Sequence, residues 1–258
     1  MKDLFSIAGK TALVTGGSRG IGFMIARGFV EGGARVYISS RKKEVCDAAA
    51  AELSKVGSCV SIPADVSSEA GVNDLARELA TRESALHILV NNAGAKWAAP
   101  IAEFPDAAWD KVLATNLKSP FFLTRACLPL LEKAARPEDP ARVINIGSID
   151  GLKVPLFETY AYSASKAALH HMTRVLARQL APRKITVNAV APGPFESKMM
   201  SATLDRFRDA IVGGCPLGRI GEPGDMAGVA IFLASKAGSY LTGTIIPVDG
   251  GISTCAGS

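Results

Sequence analysis

Aromatic residues make up only 6% of this 258-residue chain, histidines number three, and no stretch of about eighteen apolar residues occurs that would cross a bilayer as a helix. The scarcity of rings, with lysines and arginines dispersed, excludes the basic stripe with interleaved aromatics that a nucleic-acid binder needs, despite a net charge of +5. The five cysteines, Cys46, Cys59, Cys127, Cys215 and Cys255, are odd in number and lack CxxC or His-linked spacing. Both a disulfide framework and a zinc site are thereby excluded, so no metal is expected, and a reducing cytosol fits best. The N-terminal MKDLFSIAGK has no apolar signal-peptide core, so the expectation is a soluble cytoplasmic protein that binds neither membrane nor nucleic acid.

What is present is an alternation of short β-rich runs and helical stretches. The runs are TALVT (11–15), RVYISS (35–40), CVSIPA (59–64), HILVNNA (87–93), RVINIGS (142–148), ITVNAVA (185–191) and TIIPVDG (244–250). Seven buried runs with crossover-length connections predict a doubly wound, seven-stranded parallel sheet flanked by helices, a Rossmann-type α/β fold. Its length suits a single domain over 1–258, burying about three quarters of the unfolded surface. The ARPEDPA stretch (135–141) reads as an exposed loop.

The first run leads into TGGSRGIG (15–22) and the helical IGFMIARGFVEGG. A strand, a glycine turn and a helix N-terminus form an anion site from backbone N–H groups and the helix dipole. Gly16, Gly20 and Gly22 are spaced GxxxGxG, which meets the dinucleotide fingerprint in context though not in letter. An acidic residue at the end of the second strand would bond ribose hydroxyls and repel a 2′-phosphate. Here Ser39, Ser40, Arg41, Lys42 and Lys43 stand instead, with Arg19 in the loop, and this cationic cluster predicts NADP(H) over NAD(H).

Tyr162 and Lys166 are four residues apart in AYSASKAALHHMTRVLARQLA, which places a phenol and an ammonium on one helical face. A neighbouring cation favours the phenolate, so Tyr162 is expected to fall toward neutrality and exchange a proton with a carbonyl or alcohol oxygen. Ser148 ends the fifth run, fourteen residues upstream. His87, His170 and His171 read as structural. Asp65 and Val66 follow the third run, where Asp65 either bonds adenine or belongs to a helix cap around Ser67 and Glu69.

These motifs together resemble the short-chain dehydrogenase/reductase family in its classical form, from Gly9 to Gly251. NNAG stands at 91–94, a family Asn at Asn116, and the Ser, Tyr and Lys at Ser148, Tyr162 and Lys166; VNAVAPGPFES (187–197) and TGTIIPVDGG (242–251) match later stretches. The resemblance implies catalysis by Asn116, Ser148, Tyr162 and Lys166, with Asn116 in a proton relay. It further implies cofactor contacts from Gly16, Ser18, Arg19, Gly20, Ile21, Gly22, Ser40, Arg41, Asp65, Val66, Asn92, Ala93, Gly94, Tyr162, Lys166, Pro192, Gly193, Phe195 and Ser197. Two positions depart from the pattern. Phe195 replaces an aliphatic residue, and Ser197 replaces a Thr that bonds the nicotinamide carboxamide.

Trp97, Leu152, Val154, Leu156, Phe157, Phe195, Met199 and Met200 predict an apolar substrate pocket, rimmed by Lys96, Lys153 and Lys198. Such a pocket suits a substrate with an apolar reactive end and an anionic carrier. DLFSIAGKTALVTGGSRGIG, PARVINIGSIDG and YAYSASKAALHHM resemble the NADPH-dependent β-ketoacyl reductases associated with rhamnolipid synthesis, which implies reduction of a 3-oxoacyl thioester on an acyl-carrier protein or CoA. A ketone, steroid or polyol dehydrogenase is the alternative, and a non-catalytic nucleotide-binding regulator is opposed by the intact Ser, Tyr and Lys. The resemblance and the apolar VAIFLASKAGSYLTGTIIPV run also imply a homotetramer.

Overall fold

A computed structural model describes residues 3–255. Seven strands form one sheet: β1 (Thr11–Thr15), β2 (Arg35–Ser39), β3 (Cys59–Ser61), β4 (Ile88–Asn91), β5 (Ala141–Ile146), β6 (Ile185–Pro192) and β7 (Ile245–Val248). Their spatial order is β3-β2-β1-β4-β5-β6-β7, and every pairing is parallel. The expected doubly wound sheet is therefore present. The chain moves outward from β1 on one side and returns to β4 on the other, so a crevice opens where the carboxyl ends of β1 and β4 part.

Several strands are shorter than their apolar runs, and the ends of β3, β5 and β7 each have a local reason. Beyond Ser61 the ladder continues through the Ile62 and Ala64 N–H groups, but Pro63 between them has none to give. After Ile146 the Gly147 N–H still reaches the Val190 carbonyl, and Ser148 then turns outward to cap a short 3-10 turn, Ile149–Gly151. After Val248 the Asp249 carboxylate accepts the Gly251 and Ser253 N–H groups and bends the chain away. The 135–141 stretch is largely the expected loop between α5 and β5, exposed at 136–138, but not all of it faces solvent. Its Asp139 is half-buried and pairs with Lys10 at 2.7 Å and with the fully buried Arg142 at 3.2 Å, because a buried guanidinium needs a carboxylate.

The helices are α1 (Gly20–Glu31), α2 (Lys43–Leu53), α3 (Glu69–Arg82), α4 (Asp106–Leu113), α5 (Ser119–Ala134), α6 (Tyr160–Leu180), α7 (Ser201–Gly213) and α8 (Pro223–Ala234). Two apolar clusters cover the faces of the sheet. One gathers Ile25, Phe29, Ile38, Val90, Val190 and Leu233 beneath α1 and α8, and the other Leu13, Leu75, Leu89, Leu123, Val143 and Val187 beneath α3, α5 and α6. Both faces being covered explains why the strands read as continuous apolar runs. No helix among the described residues is long and apolar enough to cross a membrane.

Candidate active site at the strand carboxyl ends

Main-chain geometry builds one wall of the crevice. Gly16 and Gly20 have φ of +65° and +55°, a left-handed region that suits glycine, and a Cβ on Gly22 would run into the Asn92 side chain and the Gly16 carbonyl. Thr15, which the sequence did not single out, fastens this turn to the neighbouring strand. Its Oγ1 accepts the N–H groups of Asn92 and Ala93 at 3.0 and 3.1 Å, while Asn92 Nδ2 donates to the Thr15 carbonyl at 2.8 Å. Ser18 is half-buried, Arg19 is exposed, and Ile21 packs against the core beneath α1.

The end of β2 holds no carboxylate. Ser40 Oγ is buried without a hydrogen-bond partner among the described residues, and Arg41 beside it is exposed. The cationic cluster is smaller than expected, since Lys43 is engaged with Asp47 at 2.6 Å, one helical turn away. Asp65 is exposed, and its carboxylate accepts the N–H and O–H of Ser67. Partial burial would raise its pKa, but these two bonds and nearby Arg41 prevail and lower it. The cap of α3 is Ser68, whose oxygen accepts the Gly71 N–H, so Asp65 and Ser67 precede the cap. Val66 is buried in the second apolar cluster, which leaves only its main chain to face a ligand.

The candidate catalytic residues come together where the carboxyl end of β5 meets the start of α6. Ser148 leaves β5, Tyr162 and Lys166 lie on the first turns of α6, and all three are buried. Lys166 Nζ donates to the Ile146 carbonyl at 2.8 Å and stands 5.5 Å from the centre of the Tyr162 ring. Asn116 sits in a π-helical turn (Ala114–Lys118) between α4 and α5, a distortion common at functional sites. Its side chain accepts the Ala95 N–H at 2.8 Å and donates to the Ala95 carbonyl at 2.9 Å and to Ser165 Oγ at 3.0 Å. Asn116 thus clamps the loop after β4 against α6. Gly94 lies between them, where a Cβ would come within 4.0 Å of Lys166 Nζ.

Electrostatics correct one expectation. Burial pushes the Tyr162 phenol up to about 12, against the pull of the Ser148 hydroxyl, and the Asp150 carboxylate adds to the rise. Burial also brings Lys166 down to about 8, with Asp150 opposing. The phenol does not approach neutrality in the protein alone, because desolvation dominates and Lys166 gives its hydrogen bond to the Ile146 carbonyl. Asp150 was not singled out in the sequence. Its only signal was its place two residues after Ser148, and its pKa is raised by burial against the pull of Lys96, Lys153 and Lys166.

The segment after β6 closes the crevice. Pro192 is buried at the strand end, a Cβ on Gly193 would strike Asp249, and Ser197 lies over Gly20, whose own Cβ would come within 3.2 Å of it. Phe195 differs from expectation. Its side chain is buried against Gly221 in the core, so only its main chain is available to a ligand. The expected pocket residues Trp97, Leu152, Val154, Leu156, Phe157 and Met199 are exposed, with the Phe157 ring tilted against that of Phe207 on α7 at 5.8 Å. His87 Nδ1 accepts the Thr11 N–H at 3.0 Å, and His170 is buried, as structural residues.

A family model described as enoyl-(acyl carrier protein) reductase matches residues 16–253. A Pseudomonas aeruginosa protein named rhamnolipids biosynthesis 3-oxoacyl-(acyl-carrier-protein) reductase is 49% identical over 253 residues, which span 97% of this chain and 99% of its own. The chain belongs to the short-chain dehydrogenase/reductase family. A Chlamydia trachomatis family member, 3-oxoacyl-(acyl-carrier-protein) reductase FabG, is 37% identical over 95% of this chain and 98% of its own. The solved Pseudomonas aeruginosa RhlG/NADP active-site complex superposes with a TM-score of 0.95 at 48% identity, covering 98% of this chain and 100% of that one.

Proposed function

We propose that the protein is an NADPH-dependent reductase of 3-oxoacyl thioesters. The observation that carries the reading is the convergence of Ser148, Tyr162 and Lys166 on a glycine turn whose neighbouring strand ends in Ser40 and Arg41 rather than a carboxylate. The names of the relatives from Pseudomonas and Chlamydia support the substrate class.

The residues present fit NADPH. The orphaned Ser40 hydroxyl and the Arg41 and Arg19 guanidiniums suit a 2′-phosphate, and the Gly16–Gly22 turn with the α1 N-terminus, including Ser18 and Ile21, suits a pyrophosphate. Asp65 and the Val66 main chain would face adenine. Asn92, Ala93, Gly94, Pro192, Gly193, Ser197 and the Phe195 main chain would line the rest of the cofactor. When bound, NADPH supplies the hydride. Ser148 and Tyr162 hold the substrate oxygen, and Tyr162 gives it a proton, which it retains at neutral pH because its pKa lies near 12. Lys166, on the same face of α6, offsets the phenolate left behind, and the Ser148 hydroxyl steadies the developing oxyanion. Asn116, as the clamp of the loop carrying Gly94, positions Lys166 and takes part in the proton relay.

The net charge of +5 suits an acidic acyl-carrier protein as the carrier of the substrate. A cytoplasmic homotetramer, with α8 and the edge strand β7 as contact surfaces, completes the reading. The test follows NADPH absorbance with acetoacetyl thioester, crotonyl thioester and a simple ketone. Oxidation with the first supports the reading; oxidation with only the enoyl substrate or only the ketone overturns it.

A further inference from the structure

Lys96 occupies an unusual place for a lysine. Its Nζ lies 5.5 Å from the centre of the Tyr162 ring and 5.9 Å from that of Phe157, so the ammonium of this half-buried lysine sits between the two rings. Its backbone is fixed from one residue away, where Asn116 holds both the N–H and the carbonyl of Ala95. Among the ion pairs of the described residues Lys96 takes part in none. Asp150 is within electrostatic reach of Lys96, Lys153 and Lys166 yet makes a contact pair with none of them. An ammonium lying over two ring faces has donors to spare, and no carboxylate contact takes them.

A 3-oxoacyl thioester carries two carbonyl oxygens, one on each end of a three-carbon unit. A ketone oxygen held by Ser148 and Tyr162 keeps the thioester carbonyl within a three-carbon reach of Tyr162, and the exposed Phe157 ring beside Lys96 marks a side open to the carrier. We propose that Lys96 donates a hydrogen bond to that second carbonyl and so selects 1,3-dicarbonyl substrates over simple ketones. This inference rests on the functional reading above. A charge-assisted bond made only by the dicarbonyl is a specificity device, since a substrate lacking the acceptor leaves the ammonium unpaired.

The experiment compares wild type with Lys96→Met, which keeps the apolar stem, and Lys96→Arg, which keeps the charge. For each, kcat/KM is measured for acetoacetyl thioester and for an alkyl methyl ketone, with NADPH affinity by fluorescence as a check on folding. Where the ketone turns over too slowly, its inhibition constant against the thioester gives the same comparison. The thioester-to-ketone ratio should fall about ten- to a hundred-fold in Lys96→Met and largely return in Lys96→Arg. An equal loss on both substrates, or no loss on either, overturns the proposal. Adding Asp150→Asn to Lys96→Met tests the competing role of a counterion: recovery of the ratio in the double variant would assign Lys96 to Asp150 and overturn it too. A wild type that reduces the ketone but not the thioester instead overturns the functional reading, which separates the two failures.

Discussion

Lys166 gives its short hydrogen bond to the Ile146 carbonyl, at 2.8 Å, while standing 5.5 Å from the centre of the Tyr162 ring. The cation is thus located by the main chain of β5 and the phenol by α6. Their separation depends on how helix and strand pack, which the spacing of a tyrosine and a lysine in sequence does not specify. The arrangement leaves Tyr162 protonated at neutral pH, the state required of a donor in carbonyl reduction.

Tyr162→Phe removes that proton and keeps the ring. NADPH binding should persist while turnover falls by about two to four powers of ten. Lys166→Ala should lower turnover similarly and weaken cofactor binding as well. Fluorescence titration and steady-state kinetics read the two effects separately, and near-wild-type turnover in Tyr162→Phe would refute the assigned role.

Phe195 gives a prediction about stability. The ring is 2% exposed and rests on Gly221, where a Cβ would collide with it. Phe195→Ala should cost about 3–5 kcal/mol in a urea melt, the usual range for a buried ring truncated to alanine. Gly221→Ala should also destabilise, through overpacking. A loss under about 1 kcal/mol for Phe195→Ala would show that the segment rearranges freely.

His170 sets an acid limit. It is 3% exposed, and neither ring nitrogen has a partner among the described residues. Burial, aided by the charge of Lys166, lowers its pKa from 6.5 to about 4. The folded state therefore refuses a proton that the unfolded chain accepts, so stability is lost as pH falls from 6.5 toward 4 and the loss is complete below that. At about 1.36 kcal/mol per unit, the loss approaches about 3 kcal/mol. Urea midpoints at pH 7 and pH 4.5 should differ more for wild type than for His170→Asn. Equal pH dependence in the two proteins would refute this account.

The fold was legible because both faces of the sheet are covered, which leaves seven apolar runs separated by helical stretches. Strand ends were less so: Pro63 and the Asp249 turn act through individual hydrogen bonds. The placement of the candidate catalytic residues was legible from type and spacing: Ser148 follows a strand end, and Tyr162 and Lys166 share one helix. Thr15, Asp150 and the π-helical turn at Asn116 were not, because their roles arise from neighbours 21 to 78 residues distant or from packing against α6. Phe195 misled for the converse reason. Its place after the Pro192–Gly193 turn resembles a ligand contact, and only the tertiary packing on Gly221 shows where the ring goes.

Assembly is open to direct measurement. β7 is an edge strand whose four residues are all partly exposed, and Tyr240 beside it is fully exposed. An uncovered apolar edge is a pairing surface. Light scattering at micromolar concentration should give about four times 26.9 kDa. A species of monomer mass would contradict the tetramer, and Tyr240→Glu should weaken an assembly that uses this face.

Cofactor choice depends on fewer cations than the sequence suggested, because Lys43 is engaged with Asp47. Arg41 and Lys42 are left exposed at the end of β2, and Arg41 directly follows the unpartnered Ser40 hydroxyl. The 2′-phosphate exists only on NADPH. Arg41→Ala should therefore weaken NADPH about ten- to a hundred-fold, the effect of one lost charge-assisted bond, and leave NADH nearly unchanged. Lys43→Ala should disturb neither, beyond the few tenths of a kcal/mol carried by an exposed pair one helical turn apart. Fluorescence titration of both cofactors against the three proteins decides the point. Equal weakening of NADH and NADPH by Arg41→Ala would make Arg41 a structural residue, and a larger effect from Lys43→Ala would mean that its bond to Asp47 breaks when the phosphate arrives.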